Sequence, residues 1–183
     1  MNELIHADVE RIMLTEQELQ VRIKEVAAKL DLIYKDRNPV IVCILKGSVV
    51  FFADLIRNMN TAMELDFMSV SSYGSGAVST GELKIKQDLR TDIRGRDVLI
   101  VEDIIDSGNT LYSLKKLLNE RDPASLNIVT LLDKPDRRVA PIEPEYTCFV
   151  IEDEFVVGYG LDYAERYRNL PDVGVLKRSV YEK

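Results

Sequence analysis

A chain of 183 residues, 46% of them hydrophobic, is long enough to bury one good-sized core and too short to make two ordinary domains comfortable. Its net charge of -7 opposes binding to nucleic acid or to an anionic membrane, and a single histidine, His6, leaves too few parts for a Cys/His zinc site or a Ser-His-Asp triad. No apolar run approaches the roughly 20 residues that span a bilayer, and the N-terminus lacks the basic start and apolar stretch of a signal peptide, so a cytoplasmic protein is expected.

Thr15 followed by Glu18 forms a capping box, and Leu19, Ile23, Val26, Ala27, Leu30, Ile33 and Tyr34 recur behind it at helical spacing. This predicts an amphipathic helix ending near Asp36, where Asn38-Pro39 breaks it. Residues 40–45 form an unbroken apolar, β-branched run of the kind buried on both faces of a parallel sheet, and Lys46-Gly47-Ser48 interrupts it. Phe52, Leu55, Ile56 and Met59 fit a second helix, and residues 63–70 a further strand. Residues 71–81 are small, polar and glycine-rich, too long for a hairpin turn, and read as a mobile loop. Residues 83–89 suggest an edge strand, and residues 97–103 a strongly apolar strand ending in two acids. After Asp106-Ser-Gly-Asn-Thr110 comes a helix carrying Leu111, Leu114, Leu117 and Leu118; residues 126–132 and 146–151 supply two more strands, and Phe155 begins a final irregular region. Strands alternating with helices predict an α/β domain with a mainly parallel central sheet. Cys43 and Cys148 each lie inside an apolar strand segment without a CxxC partner, and read as reduced core thiols.

Ligands of open parallel sheets bind beyond the carboxyl ends of the strands, so the polar residues that follow apolar runs are the candidates for chemistry. The richest such junction is Glu102-Asp103-Ile-Ile-Asp106-Ser107-Gly108-Asn109-Thr110. Hydroxyls, a glycine and free backbone N–H groups at a helix N-terminus suit a phosphate dianion, while the acid pair suits vicinal sugar hydroxyls or a divalent cation. A phosphate donor set a few residues from a diol or metal acceptor set describes a phosphorylated ribose.

This run resembles the phosphoribosyl pyrophosphate motif of type I phosphoribosyltransferases, and nearly the whole chain resembles the bacterial hypoxanthine(-guanine) phosphoribosyltransferases. The likeness rests further on Leu45-Lys-Gly-Ser48, Ser72-Tyr73, Asp133-Lys134 with Arg138, and the segment from Phe155 to Tyr163 with Arg168. It implies one domain over residues 1–183, with a lid at about 71–82 and a small hood from the N-terminal segment and about 152–183. It implies transfer of a 5-phosphoribosyl group from phosphoribosyl pyrophosphate to a 6-oxopurine base, giving a purine nucleoside monophosphate and pyrophosphate. Carried over to this chain, Glu102 and Asp103 orient the ribose hydroxyls directly or through magnesium, and Asp106 is the general base that takes the proton from the purine's imidazole ring. Ser107, Gly108, Asn109 and Thr110 hold the 5-phosphate; Asn109 stands where some members carry a basic residue. Lys46 and Gly47, across a strained peptide, bind the leaving pyrophosphate together with Arg168. Lys134 donates to the six-position oxygen, Phe155 stacks on the ring, Val156 reads it through backbone groups, and Asp162 lies by the purine and ligates magnesium. Ser72 and Tyr73 belong to the lid, and a homodimer or homotetramer is implied.

Plainer readings compete at several positions. Glu102-Asp103 alone is as readily a solvated strand end, Phe155 plain core, and Asp162 a turn cap; Arg137 is read as part of a solvated basic turn. Two rival functions share the fold: a nucleotide-sensing regulator, which calls for a basic face this acidic chain lacks, and a phosphoribosyltransferase for xanthine or a pyrimidine. A Walker-type nucleotidase is excluded by the absence of GxxxxGK[ST].

Overall fold

The computed structural model describes residues 7–72 and 83–182, and of Ser72 the backbone alone. The first two residues of the expected loop, Ser71 and Ser72, instead end a strand paired with residues 83–84, and the rest of it, from Tyr73 on, lies outside the described residues. Nine strands are described: β1 (Val9–Leu14), β2 (Val40–Leu45), β3 (Glu64–Ser72), β4 (Leu83–Gln87), β5 (Asp97–Ile105), β6 (Ser125–Asp133), β7 (Tyr146–Val150), β8 (Val156–Val157) and β9 (Val173–Leu176). The helices are α1 (Glu16–Tyr34), α2 (Val49–Asn58), α3 (Asn109–Asn119) and the single turn α4 (Arg178–Tyr181).

Six strands form one sheet in the order β4-β3-β2-β5-β6-β7, parallel throughout except for β4, which runs antiparallel at the edge. The unbroken apolar run of β2 has its reason in the layers. Ile41 and Cys43, with Leu99 and Val101 of β5, meet Leu19, Ile23 and Leu30 of α1 and Phe51 and Leu55 of α2 on one face. Val40, Val42 and Ile44, with Val98 and Ile100, meet Leu111, Leu114 and Leu118 of α3 on the other. Successive side chains point to opposite faces, so a strand buried on both must be apolar at every position. Both cysteines are free and buried, and burial pushes the Cys43 thiol up to about 11 and Cys148 up to about 12, as the reading of inert core thiols requires.

α1 begins at the expected cap: Thr15 Oγ1 accepts from the Glu18 amide at 3.3 Å and the Glu18 carboxylate accepts from the Thr15 amide at 2.8 Å. Two departures from the sequence reading matter. β5 does not stop at its acids but runs on to Ile105, because Ile104 and Ile105 continue the ladder beside Leu132 and Asp133. The region after Phe155 is not wholly irregular: β9 pairs with β1 on one side and β8 on the other in a small antiparallel sheet of order β1-β9-β8.

The chain enters β5 through a turn pinned by Asp66. Its carboxylate, almost fully buried, accepts from the backbone N–H groups of Phe67, Arg90 and Thr91 at 2.8 Å each. Burial alone raises a carboxyl, but these amides outweigh it and hold Asp66 below the usual range. A lowered carboxyl stabilises the fold above the unfolded pKa of about 3.9 and loses that contribution as pH falls through its folded value. Asp66→Asn is accordingly expected to cost about 1–3 kcal/mol at neutral pH. Urea titrations should show its deficit against the parent shrinking as the pH is taken below about 4.

Candidate active site

The parallel order β2-β5-β6 delivers three strand ends to one edge of the sheet. From β5 come Glu102 and Asp103, then Asp106, Ser107 and Gly108 before α3 opens at Asn109. Glu102, Asp103, Asp106, Ser107, Gly108 and Thr110 form the polar wall of a cavity of about 220 Å³ with an apolar floor including Ile44 and Leu114. Asn109 opens the helix but does not line this cavity. Gly108 sits at the helix N-cap with φ +79, and no side chain caps the first turn. A helix start with its amides uncapped and its dipole directed at a cavity is an anion seat.

The loop is held from behind. Ser107's carbonyl accepts from the Val139 and Ala140 amides at 3.0 Å each, and Arg138 Nε donates to the Asp106 carbonyl at 3.2 Å. Arg138 also pairs with Asp133 and donates to the Ile142 carbonyl at 2.7 Å, so among the described residues its contacts are with the loop's own scaffold. A Cβ on Gly108 would lie 2.8 Å from Ile142 Cγ2 and 2.9 Å from Arg138 Cδ.

From β2 come Lys46 and Gly47, after a cis peptide between Leu45 and Lys46. Gly47 lies directly against Asp103: a Cβ there would stand 1.6 Å from Asp103 Oδ2. Gly160, at φ +100, approaches from the other side, where a Cβ would stand 2.0 Å from the Gly47 carbonyl oxygen. The segment carrying Gly160 thereby brings Asp162, Glu165 and Arg168 to the same place. Arg168 pairs with Asp162 at 2.8 Å and donates to the Gly160 carbonyl at 2.9 Å. Glu165 accepts from Lys46 Nζ at 3.0 Å and lies 3.4 Å from Arg168, and the Lys46 ammonium holds its carboxyl below the usual range. Glu165 belongs to no motif and goes unnoticed in the sequence; its left-handed backbone, φ 63, shows only in the structure.

Burial, reinforced by the adjacent Asp103 carboxylate, holds Glu102 well above the usual carboxylate range. Asp103 is raised too, by burial, against the opposing pull of the Ile104 amide 2.8 Å away and of Arg168. Two half-buried acids crowded together on a cavity wall in this way favour a positive charge beside them.

From β6 comes Lys134, whose buried ammonium donates to the Glu154 carbonyl at 2.7 Å and lies 3.6 Å from Asp153. Phe155, next in the chain, is 38% exposed, while Val156 is buried in β8 against Val175. Arg137 lies exposed in the turn after Lys134, as the sequence reading has it, and is also paired there: its Nε donates to Asp106 Oδ1 at 3.0 Å and its Nη1 lies 3.5 Å from Asp153. The structure thus brings Glu102, Asp103, Asp106, Ser107, Gly108 and Thr110 together, sets Lys46, Gly47, Asp162 and Arg168 beside them, and links Lys134 to the chain at Phe155. Among the described residues no three acidic, cysteine or histidine side chains are grouped closely enough to hold one metal ion, so Asp162 does not join Glu102 and Asp103 in a common cluster.

This fold and loop define a phosphoribosyltransferase domain, and the family model described as "Phosphoribosyl transferase domain" matches residues 12–164. The hypoxanthine-guanine phosphoribosyltransferase of Bacillus subtilis is 54% identical over 175 residues, covering 96% of this chain and 97% of that protein. A bifunctional protein TilS/HprT of Listeria innocua is 52% identical over 182 residues, and there this chain spans only 28% of the relative's length. The crystal structure of a hypoxanthine phosphoribosyltransferase from Staphylococcus aureus superposes with a TM-score of 0.97 at 51% identity, with all of both chains covered. The chain belongs to the hypoxanthine-guanine phosphoribosyltransferase family.

Gly108 and Gly95 both have positive φ, but a Cβ on Gly95 meets nothing within 4 Å. Gly95→Ala bears the left-handed backbone alone, whereas Gly108→Ala adds the collision with Ile142 and Arg138. In parallel thermal and urea unfolding, Gly108→Ala is expected to lose about 1–3 kcal/mol, clearly more than Gly95→Ala.

Proposed function

We propose that the chain transfers the 5-phosphoribosyl group of phosphoribosyl pyrophosphate to hypoxanthine, and to guanine, forming IMP or GMP and releasing pyrophosphate. The observation that carries this reading is the single junction of β5 and α3, where an acid pair, a third carboxylate and an uncapped helix start share one cavity wall. The Bacillus subtilis and Staphylococcus aureus relatives, similar over nearly their whole length, support the same chemistry.

In this reading the amides of the α3 first turn, with Ser107 and Thr110, hold the 5-phosphate. Asn109 contributes its backbone. Glu102 and Asp103 engage the ribose hydroxyls, and the backbone at Lys46 and Gly47 receives the pyrophosphate, with Lys46 and Arg168 exchanging their carboxylate partners for its oxygens. Lys134 donates to the six-position oxygen, the backbone of Val156 reads the ring edge, and Phe155 supplies its apolar platform. Asp106 accepts the imidazole proton as the purine nitrogen bonds to the sugar carbon; that nitrogen becomes acidic as the bond forms, so an ordinary aspartate suffices. Residues 71–82, with Ser72 and Tyr73, act as the lid that keeps water from the cationic sugar, and the β1-β9-β8 sheet with residues 152–182 as the hood of a single domain.

Magnesium fits the residues present. The ion keeps several waters and takes one or two carboxylates plus substrate oxygens, so the charge-deficient pair Glu102 and Asp103 suits it without a third side chain. Asp162 would serve separately, on giving up Arg168. When bound, magnesium supplies neutralisation of the charge that develops on the departing pyrophosphate. A homo-oligomeric assembly in the cytosol completes the proposal; the two free, buried thiols accord with a reducing compartment.

The test mixes purified protein, magnesium and phosphoribosyl pyrophosphate with hypoxanthine, guanine, xanthine and adenine in turn. Nucleotide should form with the first two, and none with hypoxanthine would overturn the reading. Asp106→Asn is expected to keep its circular dichroism and lose about 10²- to 10⁴-fold in kcat. Lys134→Met leaves the Glu154 carbonyl without its donor and Asp153 with Arg137 alone, and should raise the KM for hypoxanthine by about tenfold or more while narrowing its advantage over adenine.

A further inference from the structure

Phe155, read above as the purine's platform, is itself faced by another aromatic ring. Tyr181 of α4 lies nearly parallel to it, with ring centroids 4.7 Å apart and 21° between the planes. Tyr163 meets Phe155 at a right angle, 5.6 Å away. Even so, Phe155 keeps 38% of its surface exposed, so the stack with Tyr181 leaves ring surface open. We propose that Tyr181 is a positioning residue for the purine: it backs Phe155, fixes the plane of that ring, and makes the incoming base the third member of a stack. The proposal rests on the reading of Phe155 as the platform.

Backbone bonding holds residue 155 but not its ring. The Phe155 carbonyl accepts from the Leu176 amide at 2.8 Å, and the next residue pairs with Val175, which leaves the aromatic side chain free to turn unless something lies against it. A surface ring that must hold one orientation relative to Lys134, whose ammonium is bonded to the carbonyl of residue 154, needs such support. Tyr181 is well placed to give it. Its helix is tied to β1 through the Lys177 amide on the Asp8 carbonyl at 3.0 Å and Lys177 Nζ on the Ala7 carbonyl at 2.6 Å. Val180 and Tyr181 then pack against the cluster of Val157, Tyr167, Leu170 and Leu176. The Tyr181 hydroxyl makes no hydrogen bond to any described residue, so it is the ring face that the fold employs.

Steady-state kinetics on the whole chain decide the matter. Tyr181→Ala and Tyr181→Leu should each raise the KM for hypoxanthine about 2- to 10-fold, the range of an aromatic pair, with kcat and the KM for phosphoribosyl pyrophosphate unmoved. Leucine restores apolar bulk without a ring, and Tyr181→Phe should return the parent values because only the hydroxyl is lost. The chain contains no tryptophan, so Phe155→Trp provides a single indole that can be excited apart from the tyrosines; titrated with IMP, it should bind more weakly by a similar factor once Tyr181→Ala is added. A hypoxanthine KM unchanged in both Tyr181→Ala and Tyr181→Leu would overturn the proposal. A lowered KM would overturn it too, showing that Tyr181 occupies the base's own place. Phe155→Ala separates the two readings: if it leaves the hypoxanthine KM unchanged the platform assignment itself fails, whereas a raised KM there with none in the Tyr181 variants refutes the backing role alone.

Discussion

The site depends on one close approach, that of the Gly47 backbone to the Asp103 carboxylate. No side chain fits between them, and on the far side Gly160 admits none either. Three separate stretches of chain, following β2, ending β5 and preceding β9, are thereby held against one another through backbone. Fixing groups on backbone costs less conformational freedom than fixing them through long side chains, which suits a site that must hold several charged groups at once. The parallel ladder makes the approach possible, since the paired registers of β2 with β5 and β5 with β6 bring the strand ends to a common edge.

The electrostatics follow from that crowding. The chain is acidic overall, yet each cation near the cavity already has an anionic partner: Lys46 has Glu165, Arg168 has Asp162 and Glu165, Arg137 has Asp106 and Asp153, and Lys134 has Asp153. Where such pairs are exposed to water they are worth about 0–1 kcal/mol, little enough for a multiply charged ligand to replace one partner. Arg168 is the exception. Its Nε is buried with no hydrogen-bond partner among the described residues, a donor still without an acceptor beside the carboxylates it already pairs with. The Glu102–Asp103 pair is crowded in the opposite sense: burial raises both carboxyls, and Arg168 pulls against it only at Asp103.

Much of this was legible in the order of residues. The capping box, the apolar run of β2 and the Asp106 to Thr110 loop are contiguous signals, each produced by interactions within a few residues. Strands β1, β8 and β9 were not legible, because each is short and exists only through pairing across more than a hundred residues or with a strand that itself depends on such pairing. The contacts of Glu165, Arg137 and Tyr181 are hidden for a related reason: an ion pair or a ring stack between distant residues leaves no periodicity to read. Arg137 is legible as a residue of a solvated turn, but nothing local shows that the 3-10 turn after Lys134 brings its guanidinium onto Asp106.

The amino-acid sequence by itself determined the α/β class, the buried parallel strands and the chemistry of the β5–α3 loop, because burial on two faces and a helix start each demand particular residues at neighbouring positions. Which loops meet, which cation faces which carboxylate, and which ring backs Phe155 were decided only in the tertiary structure. Those contacts arise from strand order and from backbone approaches at Gly47, Gly108 and Gly160, and the conformations involved are ones that a linear pattern of side chains does not encode.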